Sequence, residues 1–275
     1  QSIAGHNLDP IDDQAVAYGF PVEDAPVYSY TVGNKLYVSN NHSATVSVIN
    51  VLTGQTVATI PVGSYPEFYT LVGYKLYITN RTSNDVTVVD TRSDTVTATI
   101  PVVADAYFSI GVGTKFYVSN VGSNVVSVID TNTDTVVATV PVGGTPFYLN
   151  AIGDKVFVPI SSANSMKVID TNTDTVVATI ALGAGSRYVV GVGDKAYVFK
   201  LGSSVAVIDA DTYAVLATIP VGTSPHYGGA LGTKVYVPNI GSGTVSVIDT
   251  LTDTVTATIT VGAQPYSVTM LGTRA

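Results

Sequence analysis

The amino-acid sequence predicts an all-β protein assembled from copies of one four-stranded module, and three observations support this prediction. Hydrophobic residues make up 46% of the 275 residues, and Val, Ile and Thr, whose β-branched side chains favour strands, are abundant. No long segment shows the Ala-, Leu-, Glu- and Lys-rich pattern of a helix, so we expect almost no helix. A turn glycine recurs at intervals of 39 or 40 residues, at Gly33, Gly73, Gly113, Gly153, Gly193, Gly232 and Gly272.

The length of the repeat indicates the architecture. A period near 40 residues with about four short strands per unit is typical of a β-propeller, in which each module forms one blade. Several strands, such as Val136-Val137-Ala138, are apolar on both faces and need cover on both sides, which neighbouring blades supply. We therefore predict a single seven-bladed β-propeller domain of four-stranded blades, covering residues 1–275.

The elements of one module can be assigned in order along the chain. Gly33-Asn34 forms a tight turn, since both residue types tolerate positive φ. Pro66 fixes φ where the chain crosses to the next module. The four strands of the first module are expected at residues 27–32, 35–39, 45–49 and 56–62.

The two ends of the chain are expected to share the last blade. Six complete modules run from Pro26 to about Gln264, and a seventh begins at Pro265 and stops at Ala275, before its second strand. At the other end, residues 16–22 resemble a fourth strand, and residues 2–8 a degenerate third strand. The seventh blade is therefore predicted to be built from both termini, with a second strand that is missing or supplied by a protein partner or a neighbouring copy. A six-bladed propeller with extra strands is the alternative.

Composition excludes several classes of function. The net charge of −8 argues against nucleic-acid binding, which relies on clustered Lys and Arg. No apolar run reaches the ~18 residues of a membrane-spanning helix. The absence of cysteine excludes disulfides, thiolate metal sites and cysteine nucleophiles. The chain starts at Gln1, as a processed secreted protein would, and Asn41-His42-Ser43 and Asn80-Arg81-Thr82 are glycosylation sequons.

A short word at the end of the second strand resembles that of a known family. The words Leu36-Tyr37-Val38-Ser39-Asn40, Leu76-Tyr77-Ile78-Thr79-Asn80 and Phe116-Tyr117-Val118-Ser119-Asn120 resemble the YVTN-repeat β-propeller family. The resemblance implies a secreted or cell-surface propeller of the surface-layer type. The chain is also similar to the propellers of haem-containing nitrite reductases and of some lyases, and fold alone does not choose among these functions.

Three later modules depart from this word. The fourth has Pro159-Ile160 and the fifth Phe199-Lys200 where Ser or Thr followed by Asn is expected, and the sixth keeps only the Asn of Pro238-Asn239. Positions that vary between modules can carry function, because a residue type repeated in every module serves the architecture.

Two adjacent positions of the first strand are the best candidates for a ligand site, because first strands line the central channel of a propeller. The aromatic row, five residues before each turn glycine, is either packing between blades or a channel mouth that stacks on a glycan or another flat ligand. The variable row, six residues before the glycine, is chemically mixed. Adjacent strand residues face opposite sides, so only one row can point fully into the channel. The aromatic row is Tyr28, Phe68, Phe108, Tyr148, Tyr188, Tyr227 and Ser267, and the variable row is Val27, Glu67, Tyr107, Phe147, Arg187, His226 and Tyr266.

The variable row also carries the only enzyme hypothesis. If the protein is an enzyme, such as a lyase or hydrolase, His226 would act as general acid or base, Arg187 would stabilise an anion, and Glu67 would complete the site. The plainer interpretation is a set of solvated rim residues, since a single histidine with no positioned partner is a weak catalytic signal.

The turn Asp130-Thr131-Asn132-Thr133-Asp134 has the spacing that begins a calcium loop, but Thr135 and Pro141 occupy the positions that need Gly and Glu. Turn chemistry explains these residues, so no metal and no cofactor is predicted. The sequence therefore favours a non-catalytic extracellular or cell-surface propeller that binds a small ligand or glycan or has a structural role. The alternatives are the enzyme and a subunit that assembles by accepting a strand in its seventh blade.

Overall fold

The described part of the protein is built only of β-strands. The computed structural model describes residues 2–4 and 19–270, and this part of the chain contains 26 strands and no helix. None of its elements is a helix that could cross a membrane. The all-β expectation is thus confirmed.

The chain begins with a short antiparallel pair and continues in four-stranded antiparallel sheets, each following the order of the sequence. The leading pair is β1 (Ser2–Ala4) and β2 (Gly19–Pro21). The first sheet contains β3 (Pro26–Val32), β4 (Lys35–Asn40), β5 (Thr45–Asn50) and β6 (Gln55–Pro61). The second contains β7 (Pro66–Val72), β8 (Lys75–Asn80), β9 (Asp85–Asp90) and β10 (Thr95–Pro101). The third contains β11 (Ala106–Val112), β12 (Lys115–Asn120), β13 (Val125–Asp130) and β14 (Thr135–Pro141).

The remaining three sheets repeat the pattern, with short first strands in two of them. The fourth contains β15 (Asn150–Ile152), β16 (Lys155–Ile160), β17 (Ser165–Asp170) and β18 (Thr175–Ala181). The fifth contains β19 (Ser186–Val192), β20 (Lys195–Lys200), β21 (Ser204–Asp209) and β22 (Val215–Pro220). The sixth contains β23 (Gly229–Leu231), β24 (Lys234–Asn239), β25 (Thr244–Asp249) and β26 (Thr254–Thr260). The six modules predicted from Pro26 onwards are therefore present.

The predicted seventh blade is described only in part. In the leading pair Ser2 lies opposite Pro21, which is the register of Thr45 and Pro61 in a third and fourth strand. Near the other end, Ser267 forms an isolated parallel bridge with Tyr227. Residues 5–18 and 271–275, on which the rest of this prediction falls, lie outside the described residues. Both the shared seventh blade and its six-bladed alternative stay predictions.

The chain divides into two compact units. The first comprises Gln1–Ser123 and Ile129–Val137, and the second Asn124–Val128 and Ala138–Ala275. In the first unit the leading pair lies beside β6, where Thr56 donates a hydrogen bond to the carbonyl of Pro21 (2.7 Å). Buried apolar residues of successive modules pack together within each unit, as Val46, Ile60 and Leu76 do in the first.

A set of hydrogen bonds, which we call the inter-module bridge, recurs between neighbouring sheets. In it a lysine and a tyrosine of one second strand both bind an aspartate in a turn of the next module. In the first unit, the Lys35 ammonium and the Tyr37 hydroxyl both donate to the carboxylate of Asp94 in the next module, at 2.7 and 2.5 Å. Lys75 and Tyr77 bind Asp134 at 2.7 and 2.6 Å in the same way. In the second unit, the same bridge joins Lys195 and Tyr197 to Asp253 (2.7 and 2.6 Å).

The junction between the fourth and fifth modules lacks this bridge. The buried Phe157 replaces the tyrosine, and Tyr213 replaces the aspartate. Tyr213 packs instead against the apolar cluster that contains Phe157. Lys155 pairs within its own module, with Asp154 (2.7 Å) and Asp170 (3.0 Å). At this junction both bridge residues have been replaced, and an apolar contact between Tyr213 and the cluster of Phe157 takes the place of the hydrogen bond.

Candidate ligand-binding site

In the first unit the aromatic row packs between modules. The rings of Tyr28 and Phe68 meet edge to face at 5.9 Å between centroids, and those of Phe68 and Phe108 at 5.6 Å. Such edge-to-face contacts are the favoured geometry of buried aromatic pairs. The packing interpretation of the row describes these three residues well.

In the second unit three tyrosines of the aromatic row converge. Tyr188 contacts Tyr148 at 4.2 Å and Tyr227 at 5.2 Å between ring centroids. Tyr148 and Tyr227 also touch, at 5.8 Å, although their modules are not successive. Burial raises the pKa of Tyr148 and of Tyr188 above the ordinary value for tyrosine, so both phenols stay neutral over the physiological range.

Glu67, in the first unit, is a buried carboxyl group. It is 4% exposed, and no hydrogen bond to it is made by any residue that the structure describes. Burial raises the pKa of Glu67 to about 7; the charge of Arg81 acts against this shift and that of Asp105 adds to it. Close to neutral pH this side chain can therefore either hold or release a proton.

The groups around Glu67 are occupied with one another. Arg81 donates from Nε to Asp105 at 2.6 Å, and its guanidinium lies 4.8 Å from the ring centroid of Tyr107. Hydrogen bonding to Asp105 raises the pKa of Arg81, which stays charged. Tyr107 is thus covered by a cation that already has a counter-ion, and an ion pair from outside the variable row lies beside Glu67 and Tyr107.

The second unit contains a cavity of about 290 Å³ between the fifth and sixth modules, which we call the module-five cavity. Ligand sites are typically concave, mostly apolar and furnished with a few polar groups, and this cavity has that character. Its walls are mainly aromatic and its polar groups are few. The lining residues are Phe147, Arg187, Tyr188, Phe199, Leu201, Gly202, Ser224, Pro225, His226 and Tyr227.

The cavity lies where the fifth module departs from the repeated word. Phe199 occupies the position of Ser39 in the first module, and its ring contacts that of Tyr188 at 5.3 Å. Gly228 makes room for this larger side chain. A Cβ atom at Gly228 would lie 2.5 Å from Cε2 of Phe199 and against the carbonyl oxygen of Tyr236. The two positions therefore change together within one chain.

The residue after Phe199 departs as well. In the first module Asn40 donates to the hydroxyls of Thr45 and Ser47, at 3.0 and 2.9 Å, which closes the end of the sheet. The fifth module has Lys200 at this position and Ala206 at that of Ser47, so the amide–hydroxyl network is absent there. Replacing a buried amide by a longer cation frees this end of the strand for another role.

His226 is held at the cavity by stacking and by one main-chain contact. Its ring lies 4.2 Å from that of Tyr227 and 4.4 Å from that of Tyr266. Its Nδ1 is 3.3 Å from the carbonyl oxygen of Tyr266, which can only accept, so this nitrogen carries the proton. Burial lowers the pKa of His226, the bond to Tyr266 opposes this shift, and the charge of Arg187 adds to it. The imidazole is therefore neutral at pH 7.

Nine residues of the two rows are taken as ligand-binding candidates, and they fall into two groups. Arg187 lies over the ring of Phe147, at 5.3 Å from its centroid, and thus joins the histidine at the cavity. The three residues of the enzyme hypothesis are divided between the units. Arg187 and His226 are therefore described together, and Glu67 is described by itself. Tyr28, Glu67 and Tyr107 belong to the first unit; Phe147, Arg187, Tyr188, His226, Tyr227 and Tyr266 belong to the second.

Phe199 and Leu201 line this cavity but were not predicted from the sequence as ligand-binding residues. The signal was available, since the fifth module breaks the repeated word at Phe199-Lys200. The aromatic and variable rows, on which the predicted site rests, both lie in first strands, whereas Phe199 lies at the end of a second strand. Positions at which one module differs from the others therefore indicate ligand-binding residues in second strands as well as in first strands.

The aspartate turns serve the architecture. The Asp130 carboxylate accepts from the main-chain N–H of Asn132 at 2.7 Å, as turn chemistry predicts. Asp134, with a left-handed φ of 54°, accepts the inter-module bridge. Among the described residues no group of three or more His, Asp or Glu side chains could hold a metal ion.

Both glycosylation sequons are buried. Asn80 is fully buried and donates to Asp85 and Thr87, at 2.6 and 2.8 Å, and Asn41 is 5% exposed. A glycan needs an exposed asparagine, so the folded protein cannot carry one at either position. The sequons therefore lend no support to an extracellular location.

Comparison with solved structures shows the fold. Three β-propeller structures match at low identity: hydrazine synthase of Kuenenia stuttgartiensis (19% identity, TM-score 0.69, 86% of this chain and 86% of that one), BamB of Moraxella catarrhalis (12%, 0.70, 87% and 74%) and apo AztD of Citrobacter koseri (16%, 0.67, 88% and 73%). At these identities the likeness establishes a β-propeller fold and nothing about activity. No family model and no curated protein matches the sequence.

Proposed function

We propose that this β-propeller is a non-catalytic binding protein and that the module-five cavity is its ligand site. The observation that carries the proposal is the cavity itself. It is lined by aromatic rings, and it lies at the module whose second strand and following first strand both depart from the repeat. Phe199 and Gly228 both differ from the repeat and disturb its regular packing. Residues that do so are expected at a functional site.

The aromatic walls favour a ligand with a flat apolar face. Tyr188, Phe199 and Tyr227 offer ring faces and edges, and Phe147 lies beneath Arg187 at the same cavity. Sugar rings and aromatic compounds both present such a face, and each stacked aromatic contact contributes roughly 0.5 to 1.5 kcal/mol. The volume of about 290 Å³ suits a ligand of one or two rings.

The proposal is tested by binding measurements on the wild type and a Tyr188→Leu variant. We would titrate N-phenyl-1-naphthylamine, an uncharged fluorescent compound of suitable shape, and screen a panel of oligosaccharides. Tyr188→Leu keeps much of the side-chain volume but removes the stacking surface, so affinity should fall about 5- to 10-fold. Tyr74→Leu, at an exposed tyrosine of the first unit, is the control. A wild-type protein that binds neither probe class would contradict the proposal.

Catalysis at the same cavity is an outcome that this experiment can separate. His226 contacts a main-chain carbonyl, and no described carboxylate orients its ring. If a bound ligand is converted by the wild type but not by His226→Ala, the site is catalytic. If His226→Ala binds the ligand and neither protein changes it, the non-catalytic proposal stands.

An extracellular or cell-surface location and membership of the YVTN-repeat family form part of the proposal. They are supported by the resemblance of the second-strand words, such as Leu36-Tyr37-Val38-Ser39-Asn40. Fractionation of the source cells, followed by immunodetection, tests the location. Recovery of the protein only from the cytosolic fraction would contradict it.

Assembly through the last blade is a second candidate function, and the exposure of the sixth sheet favours it. Ile259 is 47% exposed, whereas the corresponding residues of the five preceding sheets, such as Ile60 and Ile219, are 3–7% exposed. Within residues 2–4 and 19–270, Lys234 meets no aspartate of a further module, and it pairs with Asp249 of its own sheet at 3.4 Å. This apolar face would suit a further β-module or a neighbouring copy. Light scattering that shows only monomer at high concentration would argue against self-assembly.

A further inference from the structure

The cations of this acidic protein are almost all neutralised within the structure. Of the Lys and Arg residues that the structure describes, seven form an ion pair with an aspartate, Lys115 also has a partner, and Lys167 donates to the hydroxyl of Thr179 at 2.8 Å. The seven are Lys35, Lys75, Lys155, Lys195, Lys234, Arg81 and Arg92. A cation that has no acidic partner is therefore unusual in this protein.

Two cations of the described chain make neither a hydrogen bond nor an ion pair, and both belong to the fifth module. Arg187 lines the module-five cavity, and its guanidinium lies 5.3 Å from the ring centroid of Phe147. Lys200 follows the cavity-lining Phe199 in the same strand, so its side chain leaves the sheet on the opposite face. In the first module the corresponding positions are Val27 and Asn40, so neither charge belongs to the architecture.

The strand register places the backbone positions of these two cations next to each other. Ser186 pairs with Lys200, and the register shifts between Ser186 and Tyr188, so Arg187 is the bulged residue next to this pair. Two positive charges on neighbouring strands repel each other, and both attract an anion. The hydroxyl of Ser186 is fully buried and has no hydrogen-bond partner, which adds an unused donor at the same place.

No acidic side chain lines the cavity to balance these charges. We propose that the ligand of the module-five cavity is an anion, a flat ring compound carrying a carboxylate, sulfate or phosphate group that Arg187 binds, with the charge of Lys200 in the same module adding to the attraction. This inference rests on the proposed function, because it assigns the chemical class of the ligand at that cavity. Guanidinium and ammonium groups are the usual partners of these anionic groups.

The imidazole of His226 would then sit at the other wall as a neutral group. Its Nδ1–H is used by the carbonyl of Tyr266, which leaves Nε2 as an acceptor in the neutral ring and as a donor once the ring is protonated. The positive charge of Arg187 disfavours a second charge on this ring, and an anion bound to Arg187 would relieve that effect. Anion binding should therefore be accompanied by proton uptake below pH 7.

The experiment compares two fluorescent compounds that share an anilinonaphthalene body and differ in charge. One is 8-anilinonaphthalene-1-sulfonate and the other is the uncharged N-phenyl-1-naphthylamine. We expect the sulfonate to bind the wild type about tenfold more tightly at low salt, as one charge-assisted hydrogen bond implies. Arg187→Gln with Lys200→Gln should abolish this preference, and salt should weaken it in the wild type. Lys167→Gln, which removes one charge from the same unit outside the cavity, should leave it unchanged.

The outcomes separate the two proposals. Equal binding of both compounds by the wild type, or a preference for the sulfonate that persists in the Arg187→Gln/Lys200→Gln variant, overturns the anionic ligand and leaves the aromatic cavity in place. Failure of both compounds to bind overturns the binding function itself. Circular dichroism of the double variant establishes that it is folded, and the salt dependence of the wild type tests the same inference without any substitution.

Discussion

Replacing Glu67 by Gln should stabilise the protein at neutral and alkaline pH. The carboxyl group is buried without a hydrogen bond, and burial raises its pKa from 4.5 to about 7. Below pH 4.5 the folded and unfolded states both hold the proton, and the group has no effect on the free energy of unfolding. Between pH 4.5 and 7 the unfolded state releases the proton first, so stability falls as the pH rises. Above pH 7 the penalty is constant.

One pKa unit corresponds to about 1.4 kcal/mol, so the shift from 4.5 to about 7 sets an upper limit of roughly 3.5 kcal/mol. Some solvent screening reaches this site, and we expect about 2 kcal/mol at pH 8. Urea denaturation at pH 4 and pH 8 measures the difference. Glu23→Gln, at the only other glutamate of the sequence, is the control because Glu23 is exposed. The reasoning is refuted if Glu67→Gln is no more stable than the wild type at pH 8 and keeps its pH dependence.

Three further predictions concern the repeat. Asp253→Ala removes the acceptor of an inter-module bridge and should cost about 2 to 3 kcal/mol in urea denaturation, because a buried phenol and an ammonium group lose their partner; the exposed Asp211→Ala should cost almost nothing. Phe157→Tyr together with Tyr213→Asp should restore the bridge that is missing between the fourth and fifth modules. The double variant should be more stable, by about 1 kcal/mol or more, than the sum of the effects of the two single variants predicts. Additive effects would contradict this. Gly228→Ala should lower the melting temperature by several degrees through its clash with Phe199 and the backbone, and an unchanged melting temperature would show that the neighbours can move.

The module and its strands could be predicted because their causes are local and repeated. Gly33 adopts a φ of 58°, as its place in the tight turn requires, and the predicted strand at residues 27–32 begins one residue earlier, at Pro26. The period of 40 residues determined where each later strand begins. Six copies of the same pattern made each assignment a test of the others.

The inter-module bridge could not be read from the sequence, although its tyrosines and aspartates lie in repeated words. The tyrosine belongs to the second-strand word and the aspartate to the Asp-rich turn, and nothing in the sequence links the two positions. Lys35 and Asp94 lie 59 residues apart, and their contact depends on how one sheet packs on the next. The contact between Phe199 and Gly228 could not be predicted for the same reason, since packing between modules brings the two residues together, although the departure of the fifth module from the repeated word was visible in the sequence.

The bridges also have a consequence for how the chain is made. Each one joins a second strand to a turn that is translated between 54 and 59 residues later. At about 5 to 20 residues per second, a new module would wait roughly 3 to 12 s for its partner to leave the ribosome. During that time its lysine and its tyrosine hydroxyl have no acceptor, and its apolar face is open. Each module therefore supplies the acceptor for the lysine and tyrosine of the module synthesised before it. The donors are always translated first and the acceptor second.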